Sequence, residues 1–196
     1  WKRCTSLTSF ILPPTVTSLT ISGGSAWTNC SSLTSFTLPP NLTSLTIGAS
    51  TWAGCPSLTR ITLNPNWRLT ANFSTAPAFT HDGIVLMFGE LVDKRADGIN
   101  PTTVATNSTS PIVTGTNSQF TKVFVVGDTI NINAAGNRTI ASIESDTRLT
   151  LTANAAATGT GLTYNINKTL TLGATNLARV SAAEIAVANA KGWTIN

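Results

Sequence analysis

Charged side chains are scarce in this sequence of 196 residues: Asp, Glu, Lys and Arg make up 10% of it, against 41% hydrophobic residues. Ordinary globular enzymes carry about a quarter charged residues, so the composition disfavours a cytosolic enzyme. Disordered tails combine high charge with few apolar residues, and they are excluded. Ser, Thr and Asn dominate what remains. Because Thr favours strands and Asn favours turns, the composition predicts an all-β protein.

Basic clusters and long apolar runs are also missing. The 12 Lys and Arg residues outnumber the 8 Asp and Glu residues, but no basic run is longer than a pair such as Lys2-Arg3. A nucleic-acid-binding face needs clustered cations, so we expect no nucleic-acid partner. The longest apolar run, Ile84 to Phe88, is too short to cross a bilayer, and we expect no membrane insertion.

The usual motifs of metal sites and catalytic sites are absent as well. The three cysteines lie 26 and 25 residues apart without a Cys-x-x-Cys pair, and the single histidine, His81, is distant from them in sequence. The sequence contains no calcium loop, phosphate loop or Gly-x-Ser-x-Gly turn. We expect His81 and Asp82 to be a hydrogen-bonded pair in a loop. The sequence therefore predicts no metal, no cofactor and no catalytic residue.

The near-equal spacing of the cysteines indicates a repeat. Each cysteine follows a tryptophan by three positions and precedes Ser-Leu-Thr, an aromatic or Ile residue, a Leu and a proline. A period of roughly 20–29 residues with leucines at fixed offsets is typical of a stacked solenoid. Short strands with apolar residues inward would share one core, and the cysteines would be reduced and buried in it. The predicted ladder of stacked side chains comprises Trp1, Cys4, Leu7, Phe10, Trp27, Cys30, Leu33, Phe36, Trp52, Cys55, Leu58 and Ile61.

The unit Trp-x-x-Cys-x-Ser-Leu-Thr-x-Phe-x-Leu-Pro-Pro resembles the BspA-like leucine-rich repeat over residues 1–67. That family usually has Phe where this chain has Trp27 and Trp52. The resemblance implies a β-rich solenoid of the kind found in bacterial surface proteins and some phage proteins. It also implies a role in binding or spacing, without catalytic residues.

The repeat pattern stops after Trp67 and resumes near residue 168, where Thr169–Thr175 resembles Ser44–Ser50. Placing Leu170 on Leu45 would complete the third repeat. We therefore predict a discontinuous solenoid, residues 1–67 plus 168–196, with a β-domain inserted at residues 68–167. Two consecutive domains are the alternative.

One helix is expected, at the C-terminal end of the chain. Ser181 and Glu184 form a capping-box pattern, good helix formers follow, and Gly192 stands where a helix commonly ends. A solenoid needs an atypical end that covers its last apolar layer, so we expect this helix to be the cap.

The inserted segment is predicted to form a small β-barrel or sandwich, after a hairpin around Gly83–Gly89. The expected strands are Pro111–Thr114, Lys122–Val126, Asp128–Ile132, Arg138–Ile143 and Arg148–Thr152. The run from Val113 to Phe120, the Val126-Gly-Asp turn and the Thr-rich strands from Arg138 to Leu151 resemble a small β-module that recurs in phage tail, fibre and other virion proteins. This resemblance covers residues 107–165 and implies a structural or attachment role on a virion.

These expectations lead to two functional hypotheses. The first is a non-enzymatic virion protein, such as a phage fibre, spike or decoration component, that presents a β-domain on a repeat scaffold. The alternative is a bacterial cell-surface adhesin that binds a host or matrix partner. In either case we expect a homo-oligomer or a part of a larger assembly, with virion proteins or a host-surface receptor as partners. We assign recognition to residues 68–167, where most carboxylates and loops occur.

Overall fold

A computed structural model describes residues 1–21, 25–48, 50–77, 79–93, 103–166 and 168–196, and it is mostly β with few helices. The chain forms two compact units. The first, here called the repeat unit, comprises Trp1–Val92 and Thr169–Asn196, and the second, the barrel unit, comprises Asp93–Lys168. The second unit thus begins at Asp93, whereas the sequence placed the start of the insertion at Arg68.

Parallel strands from the first three repeats form two of the sheets that the structure describes in the repeat unit. Strands β1 (Ser9–Ile11), β3 (Ser35–Thr37) and β5 (Arg60–Thr62) form one, and β2 (Ser18–Ile21) and β4 (Ser44–Ile47) form the other. Equivalent positions pair: Phe10 lies opposite Phe36, and Phe36 opposite Ile61. Because paired residues face the same side of a sheet, one face of every strand contributes to a shared core.

The third repeat is completed by residues that directly follow Trp67. Strand β6 (Ala71–Asn72) lies next to β4. Strand β14 (Lys168–Thr171) then pairs in parallel with β6, with Leu170 opposite Ala71. Leu170 therefore belongs to the strand after that of the third repeat, and its predicted placement on Leu45 is wrong. The small side chain of Ala71, where the earlier repeats have Leu, concealed β6 in the sequence.

The predicted hairpin at Gly83–Gly89 is wrong, because this segment lies in helix α1 (His81–Glu90). Thr80 begins the helix by accepting a hydrogen bond from the Gly83 amide. An apolar run of five residues is too short for its periodicity to distinguish a strand from a helix. The N-cap residue Thr80 is the feature of the sequence that indicates a helix here. Helix α1 packs against β5, and Glu90 Oε2 accepts a bond from the Leu63 amide at 2.8 Å.

The C-terminal segment contains helices α3 (Ala174–Leu177) and α4 (Ala182–Ala190) and strand β15 (Trp193–Ile195). Helix α4 has the predicted capping box, and Gly192 has the positive φ of 88° that suits a glycine at a helix end. Helix α4 packs on α1 and on β15, an edge strand of the sheet that β15 forms with β14 and β6, while α1 packs on β5. The role of α4 as a cap of the repeats stays a prediction. Ala188 is the buried residue of α4.

Seven antiparallel strands form the barrel unit, in the order β12-β7-β8-β11-β10-β9-β13. Strands β12 and β13 form opposite edges of this sheet, yet Thr163 alone separates them in sequence. Both edges therefore meet along one bent segment, and the sheet is nearly closed, as in a barrel rather than a sandwich. The strands are β7 (Thr103–Asn107), β8 (Ser110–Thr116), β9 (Thr129–Ile132), β10 (Gly136–Ser145), β11 (Arg148–Leu151), β12 (Gly159–Leu162) and β13 (Tyr164–Ile166).

The predicted strand Lys122–Val126 is replaced by the helical turn α2 (Phe120–Val123). Phe120, Val123 and Phe124 are all buried, and their spacing of three and four residues puts them on one face of a helical turn. The rings of Phe120 and Phe124 lie 6.0 Å apart, and each lies 6.0 Å from that of Tyr164. This aromatic cluster fills the barrel core together with the aliphatic side chains of the strands.

Candidate binding surfaces

The second and third repeats bury all of the ladder residues that they contribute. Their tryptophan, cysteine, leucine and aromatic or isoleucine members are at most 2% exposed: Trp27, Cys30, Leu33, Phe36, Trp52, Cys55, Leu58 and Ile61. In the first repeat, Trp1 is 64% exposed, and Cys4, Leu7 and Phe10 are half-buried. Among the described residues, the ladder rings of the first repeat pack on those of the second, as Phe10 does on Phe36 at 5.5 Å.

The aromatic ladder continues further than the sequence indicated. The rings of Trp1 and Trp27 stack at 5.5 Å and those of Trp27 and Trp52 at 6.3 Å. Phe73 then packs edge-on against Trp52 at 5.8 Å, and Phe79 packs on Phe73 at 6.4 Å. In the sequence, the alternation of apolar residues at Leu69, Ala71 and Phe73 is the signal that could have predicted this extension.

The three cysteines are free thiols, and the thiols of Cys30 and Cys55 bond to the backbone. Cys30 Sγ donates to the Trp1 carbonyl and Cys55 Sγ donates to the Trp27 carbonyl, each at 3.0 Å. Burial raises the pKa of the Cys55 thiol above its ordinary value. A reactive cysteine needs the opposite, a lowered pKa and access to solvent, so this geometry suits packing between repeats.

The second sheet and its continuation present an uncharged polar face. Inward residues alternate with outward Ser, Thr and Asn along each strand, and pairing keeps these side chains on one side. The Asn196 amide donates to the Leu170 carbonyl and its carbonyl accepts from the Leu172 amide, which extends the same pairing to β15. We call these outward side chains the polar face: Ser18, Thr20, Ser44, Thr46, Thr70, Asn72, Thr169, Thr171, Thr194 and Asn196.

His81 lies in a cluster of three ionisable groups. Its Nδ1 is 3.0 Å from Asp82 Oδ1, and its Nε2 is 2.8 Å from Glu184 Oε1. Asp82 and then Glu184 raise the pKa of His81, while bonds from Ser181 and then His81 lower the pKa of Glu184. The Asp82 contact agrees with the prediction from the sequence, but both residues begin helix α1 and do not lie in a loop. The contact with Glu184, 103 residues away, was not predicted. Within the described residues no hydroxyl or thiol bonds to His81, so the cluster lacks the nucleophile–base pair of acyl transfer.

The carboxylates of the barrel unit bond mainly to its own polar groups. Glu144 accepts bonds from Ser142 and Thr150, and these contacts lower its pKa, with Ser142 contributing most. Asp128 accepts a bond from the Val125 amide at 2.7 Å and pairs with the ammonium group of Lys168, whose side chain is 1% exposed. Asp128 and Lys168 therefore stabilise the fold of this unit.

Across the described ranges, no three His, Cys, Asp or Glu side chains converge as a metal site would require. No helix in those same ranges combines the length and apolar character that a transmembrane span needs.

Residues 1–75 match a protein family described as BspA type leucine rich repeat region, of six copies. The matched stretch passes residue 67 and includes β6, in agreement with the third repeat seen in the structure. This part of the chain is therefore similar to BspA type leucine-rich repeats. Comparisons with curated proteins and with solved structures gave no match. The family match ends before the barrel unit, so the resemblance of residues 107–165 to virion modules stays a prediction.

Proposed function

We propose that this chain is a non-enzymatic binding protein of the bacterial cell surface, an adhesin whose leucine-rich-repeat solenoid supports recognition of a host or matrix partner. The observation that carries the proposal is the match of residues 1–75 to BspA type repeats. The packing of the repeats agrees with this role. Their tryptophans, cysteines and phenylalanines are used in stacking, which leaves polar side chains for contact with a partner.

We assign recognition to the barrel unit rather than to the polar face. The polar face carries no charge, and uncharged surfaces give little electrostatic steering of a partner. The barrel unit has two exposed charged side chains, Glu144 and Arg148, beside the turn that joins β10 to β11, and an exposed apolar side chain, Val126. Binding residues often lie on loops that a rigid scaffold positions.

A binding assay with three forms of the protein tests this assignment. The forms are the intact chain, a chain lacking Asp93–Lys168, and a polar-face variant, Thr46→Lys with Thr171→Lys, which adds two charges to a flat uncharged surface. Each is applied to host cells and to immobilised matrix proteins. We expect the intact chain and the polar-face variant to bind and the shortened chain to lose binding.

Other outcomes would overturn parts of the proposal. If the shortened chain binds like the intact one and the polar-face variant does not, the repeats carry recognition. If no form binds, the adhesin function is wrong. Antibody labelling of intact bacteria tests the location separately, because a surface protein is labelled without permeabilising the cells.

A virion attachment protein is the second candidate. The observation that favours it is the barrel unit, whose strands β8 to β11 lie within the segment that resembles phage modules. Mass spectrometry of purified phage particles distinguishes the two candidates. Peptides of this chain in particles, and none in the surface fraction of uninfected cells, would support the virion role and contradict the adhesin role.

A further inference from the structure

Helices α1 and α4 are fastened to each other at both ends by charged side chains. At their N-terminal ends, His81 of α1 contacts Glu184 of α4 at 2.8 Å. At their C-terminal ends, Lys191 Nζ donates to the carbonyls of Phe88, Gly89 and Leu91 at 2.9 to 3.1 Å. Lys191 thereby satisfies free carbonyls at the end of α1. The His81 contact involves a group that titrates near neutral pH.

The geometry around His81 fits only its charged form. A carboxylate accepts hydrogen bonds and donates none, and both ring nitrogens of His81 face a carboxylate. An imidazolium ion donates from both nitrogens and satisfies both carboxylates. A neutral imidazole has one N–H, so its other nitrogen would direct a lone pair at a carboxylate oxygen. Loss of the proton therefore breaks one of the two contacts.

We propose that His81 is a pH-dependent fastener between α1 and α4, which holds the N-terminal end of α4 tightly when protonated and loosely when neutral. A neutral His81 that keeps its N–H on Nε2 still bonds Glu184, but without the charge attraction that strengthens the contact. The C-terminal end stays attached through Lys191, so α4 loosens from its N-terminal end. Apart from the buried Ala188 and half-buried Ile185, most of α4 is exposed, and little apolar packing opposes this loosening.

The charges on the surrounding elements agree with this dependence. On α1, Asp82 faces His81, while Glu90 at the far end pairs with Arg60 of β5 at 3.4 Å. On α4, Glu184 faces His81 and Lys191 bonds at the other end; Arg179, before α4, is exposed. The N-termini of both helices carry partial positive charge, which opposes protonation of His81. The two carboxylates outweigh it, since the pKa of His81 is raised from 6.5.

The direction of the pH effect follows from the two shifted groups. The raised pKa of His81 means that its contribution is complete below 6.5 and is lost as the pH rises through the folded-state pKa. The lowered pKa of Glu184 means that its contribution is lost only when the pH falls through that lowered value. The fastener is therefore complete just below pH 6.5 and loosens as the pH rises through the raised pKa of His81.

NMR titration of the full chain tests the proposal, and the single histidine makes its ring signals unambiguous. We expect the His81 ring protons to titrate with a midpoint above 6.5 and the methyl signals of Ile185 and Val187 in α4 to shift with the same midpoint. In the His81→Gln variant, which retains one donor and one acceptor without titrating, the methyl shifts should disappear. In Lys191→Met, which removes the other fastener, they should become larger.

Two results would overturn it. One is a His81 midpoint at or below 6.5. The other is a set of α4 methyl signals that either do not change with pH or change equally in His81→Gln. Because His81 is about half exposed, its replacement should leave the protein folded, and retention of the β-sheet circular dichroism signal checks this.

Discussion

Two buried tryptophans of the ladder contribute only the packing of their rings. Two tryptophans outside the ladder also donate hydrogen bonds from their indole N–H groups. In the described part of the chain, the buried Nε1 atoms of Trp27 and Trp52 have no hydrogen-bond partner. Trp67 Nε1 donates to the Leu69 carbonyl at 2.6 Å, and Trp193 Nε1 donates to the Val92 carbonyl at 3.0 Å. A buried donor without a partner costs stability. A Phe at either position would bury an aromatic ring without that cost.

Replacing Trp52 by Phe should therefore cost less than replacing Trp193 by Phe. Both changes remove similar ring area, but the first also removes an unbonded donor, while the second leaves the Val92 carbonyl without its partner. We expect the free energy of unfolding to fall by about 1–3 kcal/mol more in Trp193→Phe than in Trp52→Phe. Urea denaturation of the two variants measures the difference. Equal losses would show that the Trp193 bond contributes nothing.

At the scale of single elements, the sequence predicted those for which several signals agree and missed those with only a short apolar run. Strands β1 to β5 and helix α4 have several signals that agree, namely alternation, position in the repeat, or a capping box. Helices α1 and α2 have short apolar runs that fit a strand or a helix equally well. Packing decided between these possibilities: α1 lies against β5, and α2 brings Phe120 and Phe124 into the barrel core.

Two glycines in α1 provide a matched test of this packing. A Cβ on Gly83 would lie 2.5 Å from the Thr59 carbonyl oxygen, whereas a Cβ on Gly89 would have nothing within 4 Å. Gly83→Ala should destabilise the repeat unit by about 1–3 kcal/mol, because the backbone of the neighbouring segment must move. Gly89→Ala should stabilise it by up to about 1 kcal/mol through the better helix propensity of Ala. Thermal unfolding monitored by circular dichroism gives both signs, and destabilisation by both would argue against close packing of α1 on the repeats.

For the whole molecule, the periodicity of the sequence predicts the stacked ladder. It does not predict where the chain leaves the repeats and returns to them on either side of the barrel unit. The third repeat ends in Leu69, Ala71 and Phe73 rather than in the Leu-Thr-Ile pattern. The sequence therefore predicts its second strand a hundred residues later, at Leu170. The contact between His81 and Glu184 joins segments that the barrel unit separates in sequence, and no local pattern reports such a pair. Lys168, the buried partner of Asp128, lies 40 residues away from it in sequence, so no local pattern predicts this pair either.

The corrected boundary gives a deletion that should fold and a longer one that should not. Removing Asp93–Lys168 and joining Val92 to Thr169 by a short Gly-Ser linker keeps β6, α1 and the bonds between the two segments of the repeat unit. These include Trp193 Nε1 to the Val92 carbonyl and the Thr169 amide to Thr70 Oγ1. We expect a monomeric protein with cooperative thermal unfolding.

Removing Arg68–Lys168 instead takes away β6 and α1, so the edge of β5 and the buried side chains Leu58 and Ile61 would lose their cover. An uncovered strand edge with adjacent apolar surface promotes association. We expect this longer deletion to aggregate or unfold, as judged by size-exclusion chromatography and circular dichroism. The reverse result, a folded longer deletion and an unfolded shorter one, would place the boundary of the inserted unit back at Arg68 and make residues 68–92 part of it.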